Sequence, residues 1–307
     1  MKHFLTLADL APEQMQALLD LAVRIKAAWK EGEETPYLKG KVLGMIFQKP
    51  SLRTRVSFDV AMLQLGGNAL YLSPNEIQLG KRESVADVAR VISRYVNVVM
   101  ARVFGHADVV ALAQHASVPV INGLSDYAHP CQGMADFLTI LEHKGGFKGK
   151  KLVYLGDGNN VATSLLYGAT LLGMDFTLAA PKGYGLHPAI WDMGGRLAAE
   201  SGSTITAVGD PMVAVRDADV IYTDTWTSMG QEAEAEQRRK LFPPYRVDEA
   251  KLASAKADAI VMHCLPAHRG EEITDAVADG PHSVLFDQAE NRLHAQKAIL
   301  VWALDKE

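Results

Sequence analysis

Short apolar runs alternate along the chain with longer segments whose apolar residues recur every three or four positions. The run at 42–47 has the length and composition of a buried strand. The segment after it is typical of an amphipathic helix, with apolar positions at Phe58, Ala61, Met62 and Leu65. Residues 51–55 are therefore predicted to lie where a strand ends and a helix begins.

The same order of strand and helix is repeated to the carboxyl end of the chain. Further strands are predicted at 68–72, 97–103, 118–123, 151–155, 176–180, 219–224, 259–262 and 284–286. Helices are predicted at 11–30, 85–95, 133–142, 231–240 and 288–304, and one more ends at Leu172. Because parallel strands need helical crossovers, this alternation predicts an α/β fold of two doubly wound parallel-sheet domains. A Gly- and Lys-rich break at 143–150 places the domain boundary near residue 137, with domains 1–137 and 138–307.

The predicted strand-to-helix turn carries a cluster of anion-binding side chains. Two hydroxyls, Ser51 and Thr54, and two guanidiniums, Arg53 and Arg55, occur within five residues. Free backbone N–H groups and the positive end of the helix dipole meet at the same point, so a phosphate would be stabilised there. Arginine forks match phosphate oxygens. A capped helix with exposed arginines is the simpler alternative, and the glycines of a Walker loop are missing.

Polar residues also follow several other predicted strands. Arg102 ends one apolar run, Asp224 ends another, and His129 and Gln132 stand at the start of a helix. Ligands of open parallel sheets bind beyond the carboxyl ends of the strands, so these residues are candidates for the same pocket. A surface histidine beside a helix cap is the alternative for His129. Gln78 lies in a loop with two cations, a setting that is usually only solvated.

Composition narrows the classes of function. The 307 residues carry a net charge of −5 with no basic stripe, which disfavours nucleic acid as a partner. No apolar run approaches the length of a membrane span, and no secretory signal is expected at the N-terminus. Cys131 and Cys264 are far apart in sequence, which argues against a disulfide framework and fits a reducing cytoplasm. The charged segment 231–240 is interpreted as a solvated face.

The residues disfavour two hypotheses about cofactors, a nicotinamide dinucleotide and a metal ion. Gly156 and Gly158 stand at a strand-to-helix turn, but the third glycine and the ribose carboxylate of a nicotinamide dinucleotide site are absent. His263, Cys264 and His268 are close together, but no second cluster of metal ligands is expected to accompany them. No cofactor and no metal are therefore expected.

Six motifs, taken together and in order, resemble the ornithine carbamoyltransferases of the aspartate/ornithine carbamoyltransferase family. They are Ser51-Leu-Arg-Thr-Arg55, His129-Pro-Cys-Gln132, Asp157-Gly-Asn-Asn160, Asp224-Thr-Trp-Thr-Ser-Met-Gly230, His263-Cys-Leu-Pro266 and Ala289-Glu-Asn-Arg292. The resemblance covers essentially the whole chain. It implies transfer of the carbamoyl group of carbamoyl phosphate to the δ-amine of L-ornithine, giving L-citrulline and phosphate in arginine metabolism.

The resemblance also implies a carbamoyl phosphate site, assigned mainly to the first domain. Its binding residues would be Ser51, Leu52, Arg53, Thr54, Gln78, Arg102, His129, Pro130, Cys131, Gln132, Cys264, Leu265 and Arg292. Arg53, Arg102 and His129 would polarise the carbonyl oxygen, and Cys264, also counted as catalytic, would lie near the attacking amine. Leu52 stands where the family commonly has Thr, so one hydroxyl contact to phosphate is lost, worth about 1 kcal/mol at most.

For ornithine, the resemblance implies binding by the second domain through Asn160, Asp224, Ser228 and Met229. It further implies that the C-terminal helix, about 288–305, packs back on the first domain, and that the chains assemble as homotrimers or multiples of trimers. Leu265-Pro266 is a candidate cis peptide bond. A sibling enzyme that acts on putrescine or an N-acylornithine stays as the alternative, and the direction of the reaction in the cell is left open.

Overall fold

The computed structural model describes residues 1–227 and 231–306. They form two compact units, Met1–Leu138 together with Asn291–Glu307, and Thr139–Glu290. Within the described ranges, no helix combines the length and the apolar character needed to cross a membrane.

Four parallel strands form the sheet of the first unit. They are β1 Val42–Phe47, β2 Asn68–Leu72, β3 Val98–Arg102 and β4 Val120–Leu124, in the spatial order β2-β1-β3-β4. The helices of this part of the chain are α1 Pro12–Lys30, α2 Leu52–Gln64, α3 Pro74–Ile77, α4 Val85–Ile92, α5 His106–His115 and α6 Pro130–Lys144. A 3-10 turn, Leu7–Asp9, precedes α1, and α6 begins in this unit and ends in the second.

The central strands β1 and β3 explain why their sequences are unbroken apolar runs. All five residues of β3 are buried, as are five of the six residues of β1, because helices cover a parallel sheet on its faces. The edge strand β2 is more exposed. Phe47 pairs in register with Arg102, so the carboxyl ends of β1 and β3 lie side by side. Their turns therefore project polar residues at one edge of the sheet.

Five parallel strands form the sheet of the second unit. They are β5 Lys151–Leu155, β6 Asp175–Ala179, β7 Ile205–Val208, β8 Val220–Thr223 and β9 Ile260–His263, in the spatial order β7-β6-β5-β8-β9. The helices are α7 Asn160–Leu171, α8 Pro188–Ser201, α9 Pro211–Val215, α10 Ala235–Leu241, α11 Glu249–Ser254, α12 Asp275–Ala278 and α13 Leu285–Ala303. Two 3-10 segments occur at Glu232–Glu234 and Pro243–Tyr245. The predicted fold of two parallel-sheet α/β units is confirmed.

The C-terminal helix α13 contributes its later residues to the first unit. Asn291 Oδ1 accepts a hydrogen bond of 2.7 Å from Lys26 Nζ of α1. Near the end of α13, the ring of Trp302 packs edge-on against Phe4, with 6.2 Å between the ring centroids. These contacts agree with the predicted return of the final helix to the first domain.

One sequence-based interpretation is wrong and a second holds only in part. Residues 284–286 do not form a strand, because Leu285 and Phe286 are the first turn of α13, and only Ser283 forms an isolated bridge with Val261. An apolar run of three residues cannot be told from the start of a buried helix by periodicity. The charged segment 231–240 is largely exposed, as expected for a solvated face, but Arg238 within it is buried.

Candidate active site

The N-terminal end of α2 has the geometry of a capped helix. Ser51 is the N-cap residue, and its Oγ accepts a hydrogen bond of 3.3 Å from the backbone N–H of Thr54. The same hydroxyl donates to Thr54 Oγ1 over 3.1 Å. Leu52 and Arg53 are exposed in the first turn, where backbone N–H groups have no acceptor within the helix. This end of α2 is therefore suited to an anion.

Arg292 links this helix end to α6. Its Nη2 donates to Thr54 Oγ1 over 3.3 Å, and its Nη1 donates to Gln132 Oε1 over 2.7 Å. Gln132 in turn donates from Nε2 to Asp136 Oδ1 over 2.8 Å. The structure thus brings together three predicted residues, Thr54, Gln132 and Arg292, that are distant in the sequence. We call Ser51, Thr54, His129, Gln132 and Arg292 the first-unit pocket.

His129 stands directly before α6 and is buried. Burial, together with the positive charges of Arg292 and Arg102, holds the pKa of His129 well below its usual range. Its imidazole is therefore neutral at pH 7 and has one N–H to donate. Arg102 and Arg292 are themselves buried, so two fixed positive charges stand near a neutral hydrogen-bond donor. Such an arrangement stabilises negative charge that develops on a bound group.

Two residues that follow His129, Pro130 and Cys131, are also predicted to bind carbamoyl phosphate. Pro130 is the first residue of α6. Cys131 is fully buried, and its Sγ donates to the backbone carbonyl of Asn122 over 3.3 Å. Burial raises the pKa of the Cys131 thiol to about 12, so it remains protonated at neutral pH. Cys131 is consequently unsuited to act as a thiolate.

Two residues predicted near the anion site, Gln78 and Arg55, make their described contacts outside the first-unit pocket. Gln78 is exposed at the end of α3, and its Nε2 donates to the carbonyl of Asn75 over 3.3 Å. Among the described residues it makes no hydrogen bond to the first-unit pocket. Arg55, an alternative phosphate ligand in the sequence, lies instead over the ring of Tyr71, with 4.1 Å from its Cζ to the ring centroid.

In the second unit, Asp224 is the centre of a carboxylate–thiol cluster at the end of β8. Its Oδ1 accepts from Cys264 Sγ over 2.9 Å and from the backbone N–H of Thr225 over 2.7 Å. Its Oδ2 accepts from Asn159 Nδ2 over 2.8 Å. We call Asn159, Asp224 and Cys264 the Asp224 cluster. An oriented carboxylate of this kind is suited to bind a primary ammonium group.

The turn after β5 holds Asn159 in position for its hydrogen bond to Asp224. Asn159 is the N-cap of α7, and its Oδ1 accepts from the backbone N–H groups of Val161 and Ala162 over 2.9 and 3.1 Å. Asn160 is the first residue of α7. Burial, followed by the charges of Asp224 and other neighbours, raises the pKa of Tyr154 well above its usual value. The Tyr154 hydroxyl is therefore neutral, and it donates a hydrogen bond to Asn159 Oδ1 over 3.3 Å.

Sequence reasoning missed a buried ion pair in the same unit. Arg238 Nη1 donates to Asp157 Oδ2 over 2.8 Å and to the carbonyl of Trp226 over 2.8 Å, and both partners lie on turns near the Asp224 cluster in the chain. Burial raises the pKa of Asp157, an effect that the hydrogen bond and charge of Arg238 oppose. The only sequence signal for this ion pair was the position of Asp157 inside the motif Asp157-Gly-Asn-Asn160. No periodicity in the sequence identifies Arg238 as the partner of Asp157.

The segment after β9 carries the remaining predicted residues. Cys264 and Leu265 follow the strand directly, and Leu265 has a left-handed backbone with φ of 58°. The Leu265-Pro266 peptide bond is cis, as predicted from the sequence. His263 Nδ1 accepts from the backbone N–H of Leu265 over 2.8 Å, and His263 Nε2 lies 3.1 Å from Glu272 Oε1. The predicted residues Ser228 and Met229 lie outside the described residues.

The first unit has a cationic pocket and the second a carboxylate–thiol cluster, and both stand at the carboxyl ends of parallel strands. These are the components of an enzyme that handles one anionic and one amine-bearing substrate. The chain belongs to the aspartate/ornithine carbamoyltransferase family. The family model "Aspartate/ornithine carbamoyltransferase, carbamoyl-P binding domain" matches residues 2–142, and "Aspartate/ornithine carbamoyltransferase, Asp/Orn binding domain" matches residues 148–303.

Individual relatives are similar along almost their full length. An ornithine carbamoyltransferase of Pyrococcus abyssi is 56% identical over 303 residues, which cover 99% of this chain and 96% of the relative. An anabolic ornithine carbamoyltransferase of Pyrococcus furiosus is 56% identical over 299 residues, covering 97% and 95%. A solved structure of ornithine carbamoyltransferase from Pyrococcus furiosus superposes with a TM-score of 0.95 at 56% identity, covering 97% of this chain and 96% of that one.

Proposed function

We propose that this chain transfers the carbamoyl group of carbamoyl phosphate to the δ-amine of L-ornithine, giving L-citrulline and phosphate. The observation that carries the proposal is the Asp224 carboxylate, oriented by Cys264 and Asn159, in a chain that also carries the first-unit pocket. Family membership and the names of the full-length relatives support the same reaction.

Carbamoyl phosphate is assigned to the first unit. Its phosphate is placed at the N-terminal end of α2, against Ser51, Thr54 and the backbone N–H groups of Leu52 and Arg53. Arg53 is exposed at this helix end and is free to turn towards an anion. Its side chain therefore adds a charge-assisted contact when the phosphate binds. The role of Gln78 in this site remains a prediction from the resemblance.

The carbamoyl oxygen is assigned to the donors around α6. Neutral His129 has one N–H to donate, and buried Arg102 supplies fixed positive charge where the carbonyl oxygen becomes negative. Gln132 is held by Arg292 and Asp136, so its side chain is oriented before substrate arrives. Preorganised donors need little rearrangement during the reaction, which lowers the barrier to attack.

Ornithine is assigned to the second unit. The Asp224 carboxylate pairs with the α-ammonium group, and Asn160 at the N-terminal end of α7 is the candidate for the α-carboxylate. Cys264 is assigned to the surroundings of the δ-amine, and Leu265 offers its backbone carbonyl. Ser228 and Met229 stay candidates from the resemblance alone.

The δ-amine must be neutral to attack. Its free pKa resembles that of lysine, roughly 10.4, so most ornithine is protonated at neutral pH. The neutral nitrogen adds to the carbamoyl carbon and forms a tetrahedral intermediate, which expels phosphate. The new C–N bond replaces the C–O bond to phosphate, and the proton that the nitrogen loses passes to the departing phosphate, which leaves as hydrogen phosphate. The residues of this chain act by holding and polarising the substrates, and none of them forms a covalent intermediate in this scheme.

Substrate choice follows from the charge of Asp224. An N-acylornithine has no α-ammonium group, so the carboxylate would lose its cationic partner. Putrescine keeps an ammonium group but has no α-carboxylate for the end of α7. Each of these two alternative substrates therefore lacks one of the two charged contacts with the second unit that ornithine would make.

Three further points belong to the same proposal. We assign the chain to the cytoplasm, because its two cysteines, Cys131 and Cys264, form no disulfide with each other, a state that a reducing compartment preserves. We assign the direction of citrulline synthesis in arginine biosynthesis, as the word anabolic in the name of one relative suggests. We also assign a homotrimer or a multiple of trimers, the assembly that the family resemblance implies. Light scattering on the purified protein tests the last assignment.

The experiment for the proposed reaction is a panel of amines with carbamoyl phosphate. Ornithine, putrescine, N-acetylornithine, lysine and aspartate are each supplied at matched concentrations, and the carbamoylated products are quantified by mass spectrometry. We expect citrulline to form far faster than any other product. Preferred carbamoylation of another amine would keep the first-unit pocket but overturn the assignment of the second unit. No product from any amine would overturn the proposed activity.

A further inference from the structure

A second group of potential ligands lies in the segment after β9. The imidazole of His268 and the carboxylates of Glu271 and Glu272 each offer one ligand atom, and these atoms all lie within 4.8 Å of one another. In the sequence, His268 stands close to His263 and Cys264, and no second ligand cluster was expected beside them. The carboxylates three and four residues beyond His268 supply such ligands in the structure.

The two carboxylate oxygens of Glu272 differ in their hydrogen bonding. Its side chain is fully buried, and its Oε1 accepts from His263 Nε2 over 3.1 Å and from the backbone N–H of His268 over 2.5 Å. Its Oε2 is also buried but has no hydrogen-bond partner among the described residues. A buried carboxylate oxygen without a partner is costly, because its hydration has been lost and nothing replaces it. The imidazole nitrogen Nδ1 of His268 lies 3.9 Å from Glu272 Oε2. This distance is too long for a hydrogen bond.

We propose that His268, Glu271 and Glu272 bind a divalent transition-metal ion. An ion between His268 Nδ1 and Glu272 Oε2 would satisfy the buried oxygen, and Glu271 would supply a third ligand. Glu271 contacts Arg239 Nε through Oε1 over 3.3 Å, which leaves its other oxygen for the metal. We call these three residues the His268 site.

The distance between His268 Nδ1 and Glu272 Oε2 would fit such an ion after a small movement of the His268 side chain. Zinc lies about 2.0–2.2 Å from nitrogen and oxygen ligands, so two ligand atoms at a tetrahedral angle are roughly 3.4 Å apart. The observed 3.9 Å between His268 Nδ1 and Glu272 Oε2 is about half an ångström longer. The side chain of His268 is 54% exposed, so its imidazole has room to move by that amount.

The chemistry of the donors selects the class of ion. One imidazole with two carboxylates suits Zn²⁺ and its neighbours in the first transition series, whereas Mg²⁺ and Ca²⁺ favour oxygen ligands alone. Three protein ligands leave one tetrahedral position for water. This site differs from the Asp224 cluster, whose carboxylate and thiol already bind each other by a hydrogen bond.

A bound ion would act on the segment that carries Cys264 and Leu265. Glu272 holds His263 through its other oxygen, and His263 accepts from the backbone N–H of Leu265. One metal bound to His268 and Glu272 would therefore hold the middle of residues 263–272 to an end that already contacts His263. The predicted consequence is higher thermal stability of the protein, with no role for the ion in carbamoyl transfer itself.

The alternative is that His268 pairs with Glu272 directly, without a metal ion. The two interpretations are distinguished by titrating Zn²⁺ into metal-stripped, full-length protein. The Cys264→Ala variant is the background, because it removes the thiol of the Asp224 cluster as a competing ligand. Calorimetry then measures affinity and stoichiometry, and thermal unfolding is recorded with and without the ion. Visible absorption of bound Co²⁺ reports tetrahedral coordination by nitrogen and oxygen.

We expect the Cys264→Ala background to bind one Zn²⁺ per chain and to unfold at a higher temperature when the ion is present. Adding His268→Ala should weaken binding by more than about tenfold and abolish the thermal shift. The matched control adds His115→Ala, which removes another exposed histidine and should change neither quantity.

Failure of the background to bind Zn²⁺, or unchanged affinity after His268→Ala, would overturn the proposal. Far-UV circular dichroism of the metal-free variants verifies that each is folded. If His268→Ala is unfolded, Glu271→Gln takes its place, because it removes a ligand at a partly exposed position. Its affinity for Zn²⁺ is expected to fall by a similar factor, and an unchanged value contradicts the site.

Discussion

The thiol of Cys264 donates a hydrogen bond of 2.9 Å to Oδ1 of Asp224. Each residue stands directly beyond the carboxyl end of a strand, and the last residues of those strands, Thr223 and His263, are paired in register. The parallel sheet therefore places the two side chains together although they are 40 residues apart in sequence. This hydrogen bond, with that from Asn159, fixes which way the carboxylate faces.

Replacing Cys264 should weaken ornithine binding without unfolding the protein. Cys264→Ala removes one donor to Asp224, a loss of about 1 kcal/mol, so the KM for ornithine is expected to rise roughly fivefold. Cys264→Ser is the matched control, since its hydroxyl can still donate. Steady-state kinetics with saturating carbamoyl phosphate measures both variants. Equal KM values for Cys264→Ala and the unaltered chain would argue that the thiol does not orient Asp224.

Arg292 should control affinity for carbamoyl phosphate. Arg292→Ala removes the donors to Thr54 Oγ1 and Gln132 Oε1 and a buried positive charge. We expect the KM for carbamoyl phosphate to rise about 10- to 100-fold, equivalent to roughly 1.5–3 kcal/mol for charged hydrogen bonds. Arg94→Ala, at an exposed position of the same unit, is the control. An unaltered KM in Arg292→Ala would remove the phosphate assignment from the first-unit pocket.

The local parts of this pocket were accessible from sequence, and the long-range parts were not. Ser51 could be predicted as a helix cap because strand length, helix spacing and cap chemistry all lie within a few residues. The contact between Thr54 and Arg292 joins residues 238 apart, and only the family resemblance pointed to it. Periodicity also failed at 284–286, where the first turn of α13 has the apolar run of a short strand.

His129 should make stability depend on pH. An unfolded histidine titrates near 6.5, whereas burial and two arginines hold the pKa of His129 well below that value. Below pH 6.5 the unfolded state therefore binds more protons, and the free energy of unfolding falls as the pH is lowered. This residue contributes a slope of at most about 1.4 kcal/mol per pH unit.

Urea unfolding between pH 5 and 7 measures the effect of His129 when the unaltered protein is compared with His129→Gln. The variant cannot take up a proton, so its stability should decline less steeply towards pH 5. Parallel curves for the two proteins would show that His129 is not held neutral by its surroundings. The comparison cancels the contributions of the other nine histidines, which both proteins share.

The buried pair of Arg238 and Asp157 should matter for stability. Only 4% of the Arg238 side chain and 10% of the Asp157 side chain are exposed. Arg238→Ala leaves a buried carboxylate without its cation, which typically costs about 3–5 kcal/mol in the free energy of unfolding. Lys240→Ala breaks an exposed pair with Glu236 and should cost less than about 1 kcal/mol. Similar unfolding midpoints for both variants would contradict a structural role for the buried pair.

The most direct test of the central claim, that the second unit recognises ornithine through Asp224, is the kinetic effect of Asp224→Asn. The amide keeps the size and one acceptor of the side chain but loses the negative charge opposite the α-ammonium group. We predict that kcat/KM for ornithine falls by about 100-fold, equivalent to roughly 2.7 kcal/mol, while the KM for carbamoyl phosphate stays within about twofold. An unchanged kcat/KM for ornithine in a folded Asp224→Asn protein would contradict the account.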